Sequence, residues 1–229
     1  MYSITNFPFT KKPDHVIEGI LQNMDVWDWV VTHDGQVRQI EHDDQMGLPG
    51  EAIARFATLE EVHDHLISIN GKGAAFSPNK VYRYALWRLW DFGKPPIVFV
   101  GLNPSTANDA TDDPTIRRVK RFARDNGFGG VIMLNLFGLV TPKPKVLALH
   151  PDPICQNEVY LNQYARAVAE HKIEVVFCWG AFKEAKPRTK FIESIFPNAL
   201  CLGFTGDGSP RHPLFLNADT PFEKYLQKK

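Results

Sequence analysis

The chain is short of the features that mark the more easily recognised chemistries. Cysteine occurs three times, at Cys155, Cys178 and Cys201. No Cys-x-x-Cys spacing and no paired histidines accompany them, so no zinc site is expected. Cys178 and Cys201 lie in apolar runs and read as small core residues. Net charge is also missing: 26 Lys and Arg balance 26 Asp and Glu, a formal +0. A whole-protein attraction to nucleic acid or to an anionic membrane surface is therefore not expected, which leaves only a local basic face. No apolar run is long enough to span a bilayer and no signal-peptide pattern opens the chain. The expectation is no membrane and a cytoplasmic location. There is no GxxxxGK[ST] loop, no GxGxxG after the first main strand and no GxSxG elbow. Walker-type triphosphatases, dinucleotide enzymes and nucleophile-elbow hydrolases are disfavoured, and no cofactor is expected.

What is present is an ordinary globular composition, 44% hydrophobic and 23% charged over 229 residues. That length can bury a sizeable core. Residues 1–72 differ in character from 73–229. Pro13 to Met24 carries Val16, Ile17, Ile20 and Leu21 at helical spacing. Val26 to Val31 and Val37 to Ile40 are β-prone runs around Asp34-Gly35, the pattern of a hairpin. His42 to Gly50 is a polar loop. Thr58 and Glu61 form a capping box for a helix reaching about Ile69. This segment is expected to be a small α+β appendage, a shield for the main sheet ahead of a partner-recognition unit.

From residue 73 the pattern alternates. Tyr82 to Trp90 mixes aromatics with arginines. Tyr82, Tyr84 and Leu86 alternate as in a strand, the preferred assignment, although Arg83, Trp87 and Trp90 also fit a helix face. Ile97 to Val100 is a short buried strand between prolines and Gly101-Leu102-Asn103-Pro104-Ser105. Pro114, with carboxylates just before it, starts a helix over 115–126. Then follow a strand over 131–136, a short helix near 146–148, a helix over 157–171, a strand over 173–180, a helix over 189–196 and a strand over 199–203. This alternation predicts an α/β fold with a mainly parallel, four-stranded sheet and crossover helices.

In such a sheet the strand ends share one edge, so their loops converge. The loops carry Asn103 and Ser105, Asn135, Trp179 with Gly180, and Thr205 through Arg211 and His212. Asn103 can hold a water or the polar edge of a ligand, although Asn and Ser also favour such turns for local reasons. His212 on a convergent loop is a candidate acid, base or donor. Asp112 and Asp113 suit a helix N-terminus and can also orient a water; no ligand cluster for a metal accompanies them. Arg117 or Arg118 is a candidate phosphate contact on an otherwise solvated helix face. Trp179 can stack on a planar ring or simply pack.

Taken together, Tyr82-Arg83-Tyr84 with Trp90, Leu102 to Ala107, Asp112 to Arg118, Asn135-Leu136-Phe137, Trp179-Gly180 and Gly208 to Leu214 resemble the uncharacterised bacterial and phage family called domain of unknown function 1643, over about residues 75–226. That resemblance brings no established reaction. Gly101-Leu102-Asn103-Pro104-Ser105 is also similar to the Gly-x-Asn-Pro-Gly motif of mismatch-type uracil-DNA glycosylases, and His212-Pro213 is similar to their late His-Pro-Ser motif. Ser105 stands where those enzymes have Gly, and Leu214 where they have Ser. This second likeness implies a three-layer sandwich, a water placed by Asn103 and a leaving base steadied by His212. The expectation is a nucleobase- or nucleotide-directed enzyme that breaks an N-glycosidic bond, with Asn103, His212 and Asp113 catalytic. Ser105, Arg117, Arg118, Asn135, Trp179, Thr205 and Arg211 would then bind substrate. The alternatives are a non-catalytic nucleotide or nucleic-acid binding module, and a base-modifying enzyme of phage-type DNA modification.

Overall fold

The computed structural model describes residues 71–91 and 93–226, and the backbone of three strands at 27–32, 37–41 and 52–56. The expected helices over 13–24 and 58–69, and the turn at Asp34-Gly35, lie outside the described residues. The three early strands are β1 (Trp27–Thr32), β2 (Val37–Glu41) and β3 (Ala52–Phe56). β1 pairs antiparallel with both others, in the order β2-β1-β3. The hairpin is as expected. β3 is an addition, from a stretch in which no strand was expected.

The larger sheet holds seven strands: β4 (Lys72–Phe76), β5 (Arg83–Leu89), β6 (Pro96–Gly101), β7 (Gly130–Asn135), β8 (Val175–Phe177), β9 (Leu200–Cys201) and β10 (Glu223–Lys224). Their order is β10-β9-β8-β6-β7-β5-β4. β6 is parallel to β7 and β8, and β8 to β9; β5 and β10 join antiparallel, as does β4 on β5. The sheet is thus mixed and seven-stranded, not a mainly parallel sheet of four. β4 and β10 escaped the pattern for a physical reason. Lys72-Gly73-Ala74-Ala75 has no β-branched residue, and β10 is two exposed charged residues.

Three helices cross between the strands among the described residues. α1 (Pro114–Asp125) starts on Asp113, whose Oδ1 accepts from Ile116 N–H, with Pro114 in the first turn. α2 (Asn157–His171) ends at Lys172 in the left-handed region, φ 52°. α3 (Lys186–Ile195) connects β8 to β9. Alternate residues of the central strands supply two cores. Val98, Val100, Ile132 and Leu134 pack with Leu161 of α2 and Ile192 of α3. Ile97, Phe99, Val131 and Met133 pack with Ile116, Val119 and Phe122 of α1. Each such side chain contributes about 1.5–3 kcal/mol by leaving water.

This arrangement positions the site. The α1 crossover leads from β6 to β7; α2 then returns past β6 to β8. Crossovers share one hand, so the reversal puts α2 and α3 on the face opposite α1. The chain therefore diverges at the carboxyl ends of β6 and β8, where open sheets form a crevice.

A bulge re-aims β5. Its register on β4 passes from Ala75 opposite Ala85 to Phe76 opposite Arg83, which leaves Tyr84 as an extra residue. Tyr84 stacks on Tyr160 of α2, 4.5 Å between ring centres, while Leu86 lies in the core beneath α1. The simple alternation expected for Tyr82, Tyr84 and Leu86 is thereby broken. Arg83 Nη1 instead reaches the carbonyl of Ala107 at 2.5 Å.

Candidate functional site

At that carboxyl edge lies a cavity of about 240 Å³. Five of the residues singled out from sequence line it: Asn103, Ser105, Asp113, Asn135 and His212. They come from the loop after β6, the last residue of β7, the start of α1 and the long loop after β9. Convergence, rather than any single motif, joins them.

The loop after β6 is tied down by Asn103. Its Nδ2 donates to the carbonyls of Pro104 at 2.8 Å and Thr141 at 2.7 Å. Thr141 N–H in turn donates to the Pro104 carbonyl at 2.9 Å. With its donor committed, Asn103 offers Oδ1, an acceptor, to the cavity. Asp113 is likewise half-committed: Oδ1 caps α1 by accepting from Ile116 N–H at 2.9 Å. Its second oxygen remains for the cavity.

His212 lines the same cavity. Its Nδ1 accepts from Leu214 N–H at 3.3 Å, which places the ring proton on Nε2. Burial pushes its pKa down, and the charge of Asp113 opposes that without cancelling it. At neutral pH His212 is therefore an uncharged imidazole with an Nε2–H donor. Gly180 sits behind it with φ +77°, and a Cβ there would lie 3.2 Å from His212 Cβ. Gly180 N–H also donates to the Pro210 carbonyl at 2.9 Å, which anchors the loop that carries the histidine.

Two lining side chains are buried with a donor left unpartnered. Asn135 is 1% exposed and its Nδ2 has no hydrogen bond. Arg83 is 2% exposed and its Nε has none. Burial lowers the Arg83 pKa to about 10, although Asp113 nearby works in the opposite direction. Arg83 was not among the residues singled out from sequence. The available signal was a strand-forming run of apolar residues carrying two arginines, since an arginine is rarely buried without a partner. Thr115, Phe182 and Phe215 also line the cavity and were not singled out.

Other expected binders lie elsewhere. Arg117 Nη1 donates to the Asp112 carbonyl at 2.7 Å, outside the cavity. Arg118 donates to the carbonyls of Leu216 and Pro213, fastening the turn after His212 to α1. Trp179 is core, 4.8 Å from the Phe177 ring centre and 6.0 Å from that of Tyr225. Thr205 ties its own loop by donating to Asp207 Oδ1 at 2.5 Å. Arg211 is exposed, its N–H donating to the Gly203 carbonyl at 2.9 Å. Asp112 belongs to an ion network: burial pushes its carboxyl up, and hydrogen bonds from Lys120 and Arg88 outweigh that and hold it below the ordinary value. Among the described residues no group of three His, Cys, Asp or Glu is placed to hold a metal, and no helix is long and apolar enough to cross a membrane.

Comparison with known proteins gives one match. The model of the family described as "Protein of unknown function (DUF1643)" matches residues 83–214, a span that contains every cavity residue named above except Phe215. No curated protein and no solved structure matches the chain.

Proposed function

The chain belongs to the DUF1643 family of proteins of unknown function, so its chemistry has to be read from the site, and we propose an enzyme that cleaves the N-glycosidic bond of a small nucleobase-bearing substrate. The observation that carries this is that one small cavity is lined by an uncharged His212 donor, the Asn103 acceptor and the Asp113 carboxylate. At about 240 Å³ the cavity lies below the roughly 300–1,000 Å³ of pockets for drug-sized ligands, which suits a base or nucleoside.

The reaction's charge separation matches these groups. As the bond breaks, positive charge grows on the sugar and negative charge on the departing base. The Asp113 carboxylate favours the first. His212 Nε2–H, preorganised by its Nδ1 contact, favours the second. Asn103 Oδ1 accepts from a water and aims its lone pair at the sugar carbon; Asp113 is the nearest carboxylate to take the water's proton. The similarity of Gly101 to Ser105 and of His212-Pro213 to glycosylase motifs adds to this reading by analogy.

The test is a mass-spectrometric screen for released free base. The purified protein and its Asn103→Ala variant are incubated with deaminated, mismatched and modified oligonucleotides and with the matching nucleosides and mononucleotides. Release by the parent that is lost in the variant is expected. Release from none of them overturns the hydrolase. A changed substrate mass without release would favour base modification instead.

A further inference from the structure

The hydrolase reading uses Asn103, Asp113 and His212, and leaves two other lining residues, Arg83 and Asn135, without a task. Both are more than nine-tenths buried, both line the cavity, and each carries an unpaired donor: Nε of Arg83 and Nδ2 of Asn135. They lie on neighbouring antiparallel strands, β5 and β7, at the same sheet edge. A buried donor without an acceptor is unfavourable, and for a guanidinium the penalty is larger. An acceptor brought by a ligand would satisfy both donors.

We propose that Arg83 and Asn135 form a subsite for an oxyanion of the ligand, a phosphate or a carboxylate. A guanidinium presents its Nε–H and a neighbouring Nη–H as a fork, which two oxygens of such a group match. Nη1 of Arg83 is anchored on the Ala107 carbonyl, so the fork is held rather than mobile. Asn135 adds a neutral donor. The N-terminal turn of α1, a twelve-residue helix, borders the same space through Thr115 and Ile116 and adds its positive end. The carboxylate in the cavity, Asp113, works against an anion. Its Oδ1 is already held by that helix terminus, which blunts the opposition. The burial of Arg83 also selects the kind of substrate. A polymer backbone meets cations on open grooves, whereas a cation inside a small cavity meets the terminal or free anionic group of a monomer. The substrate class is therefore an anionic small molecule, such as a nucleotide with a free phosphate or an acidic base, rather than duplex nucleic acid.

This rests on the same cavity as the hydrolase reading, and binding measured without turnover separates the two. Isothermal titration calorimetry of the full chain with inorganic phosphate, with acetate and with a neutral nucleoside, at matched ionic strength, is the experiment. Saturable binding of phosphate or of acetate is expected, and whichever binds names the anionic group. Arg83→Lys and Asn135→Ala are each expected to weaken it by about tenfold or more. Arg83→Lys keeps the charge and loses the fork. Asn135→Ala keeps the arginine, should the first variant fold poorly. Binding of neither anion by the parent overturns the subsite, as does unchanged affinity in folded variants. Anion binding without base release from any substrate would leave the subsite standing and remove the hydrolase. Base release from neutral nucleosides without anion binding would do the reverse.

Discussion

Arg83 and Arg88 stand five residues apart on β5, both buried, and their guanidinium groups are treated in opposite ways. Arg88 is bonded throughout: Nε donates to Asp112 Oδ1 at 2.7 Å, Nη1 to the Trp87 carbonyl at 2.7 Å and Nη2 to the Asn108 carbonyl at 2.6 Å. Lys120 shares the same carboxylate at 2.7 Å. Arg83 has one bond and an orphaned Nε. One strand thus shows what a buried cation looks like when it holds a fold together and when it waits at a cavity. A satisfied network resists removal of any member, because the partners are left buried and uncompensated. An unsatisfied group contributes little stability, so the fold tolerates its loss and the site does not.

The largest expected effect follows from that contrast. Arg88→Met is expected to lower unfolding free energy by about 3 kcal/mol, since Asp112 Oδ1 and the carbonyls of Gly73, Trp87 and Asn108 lose their donor. Arg83→Met is expected to cost about 1 kcal/mol or less. Urea unfolding of both variants measures this, and equal losses would break the comparison. Next, His212→Ala is expected to slow base release by about a hundredfold, the usual worth of one preorganised donor, with stability nearly unchanged. Full activity in that variant would remove His212 from the chemistry. Gly180→Ala is expected to cost about 1–2 kcal/mol, because its φ of +77° is unfavourable for a side chain and the new Cβ presses on His212 Cβ. Base release should fall in parallel as the histidine shifts, so kinetics and thermal unfolding are read on the same sample.

A smaller effect is a matter of pH. The folded pKa of His212 is depressed, so the folded state binds this proton less readily than the unfolded chain does. Its contribution to stability is present above the unfolded value near 6.5 and is lost as pH falls from there toward the folded pKa. His212→Gln should flatten that part of the melting-temperature profile and leave the part above pH 7 alone. Smallest of all is the exposed pair of Arg121 and Asp125, 3.5 Å apart on α1. Arg121→Ala is expected to change stability by no more than about 0.5 kcal/mol, against the cost of opening the Arg88 network on the same face.

Much of this architecture was legible in the chain. Ile97 to Val100, Val131 to Leu134 and the helix behind Asp113-Pro114 have strong periodicity and clear end signals, and they lie where expected. Asn103, Asn135 and His212 were reachable because strand-end loops of a parallel core share an edge. Arg117 and Trp179 show the opposite case. Their chemistry suits a ligand, but helix phase turns one to the Asp112 carbonyl, and the other, two residues past the end of β8, packs into the core. β4 offers only small residues to the cores and β10 none, and both pair at an open sheet edge.

By itself, then, the amino-acid sequence determined the alternation of strands and helices, the buried faces and the polar loops, because those follow from local periodicity, caps and turns. Only the tertiary structure decided which arginine is a strut and which faces the cavity. That outcome turns on one bulged residue, Tyr84, and on whether acceptors from distant loops come within 3 Å of a guanidinium, and no local pattern encodes either.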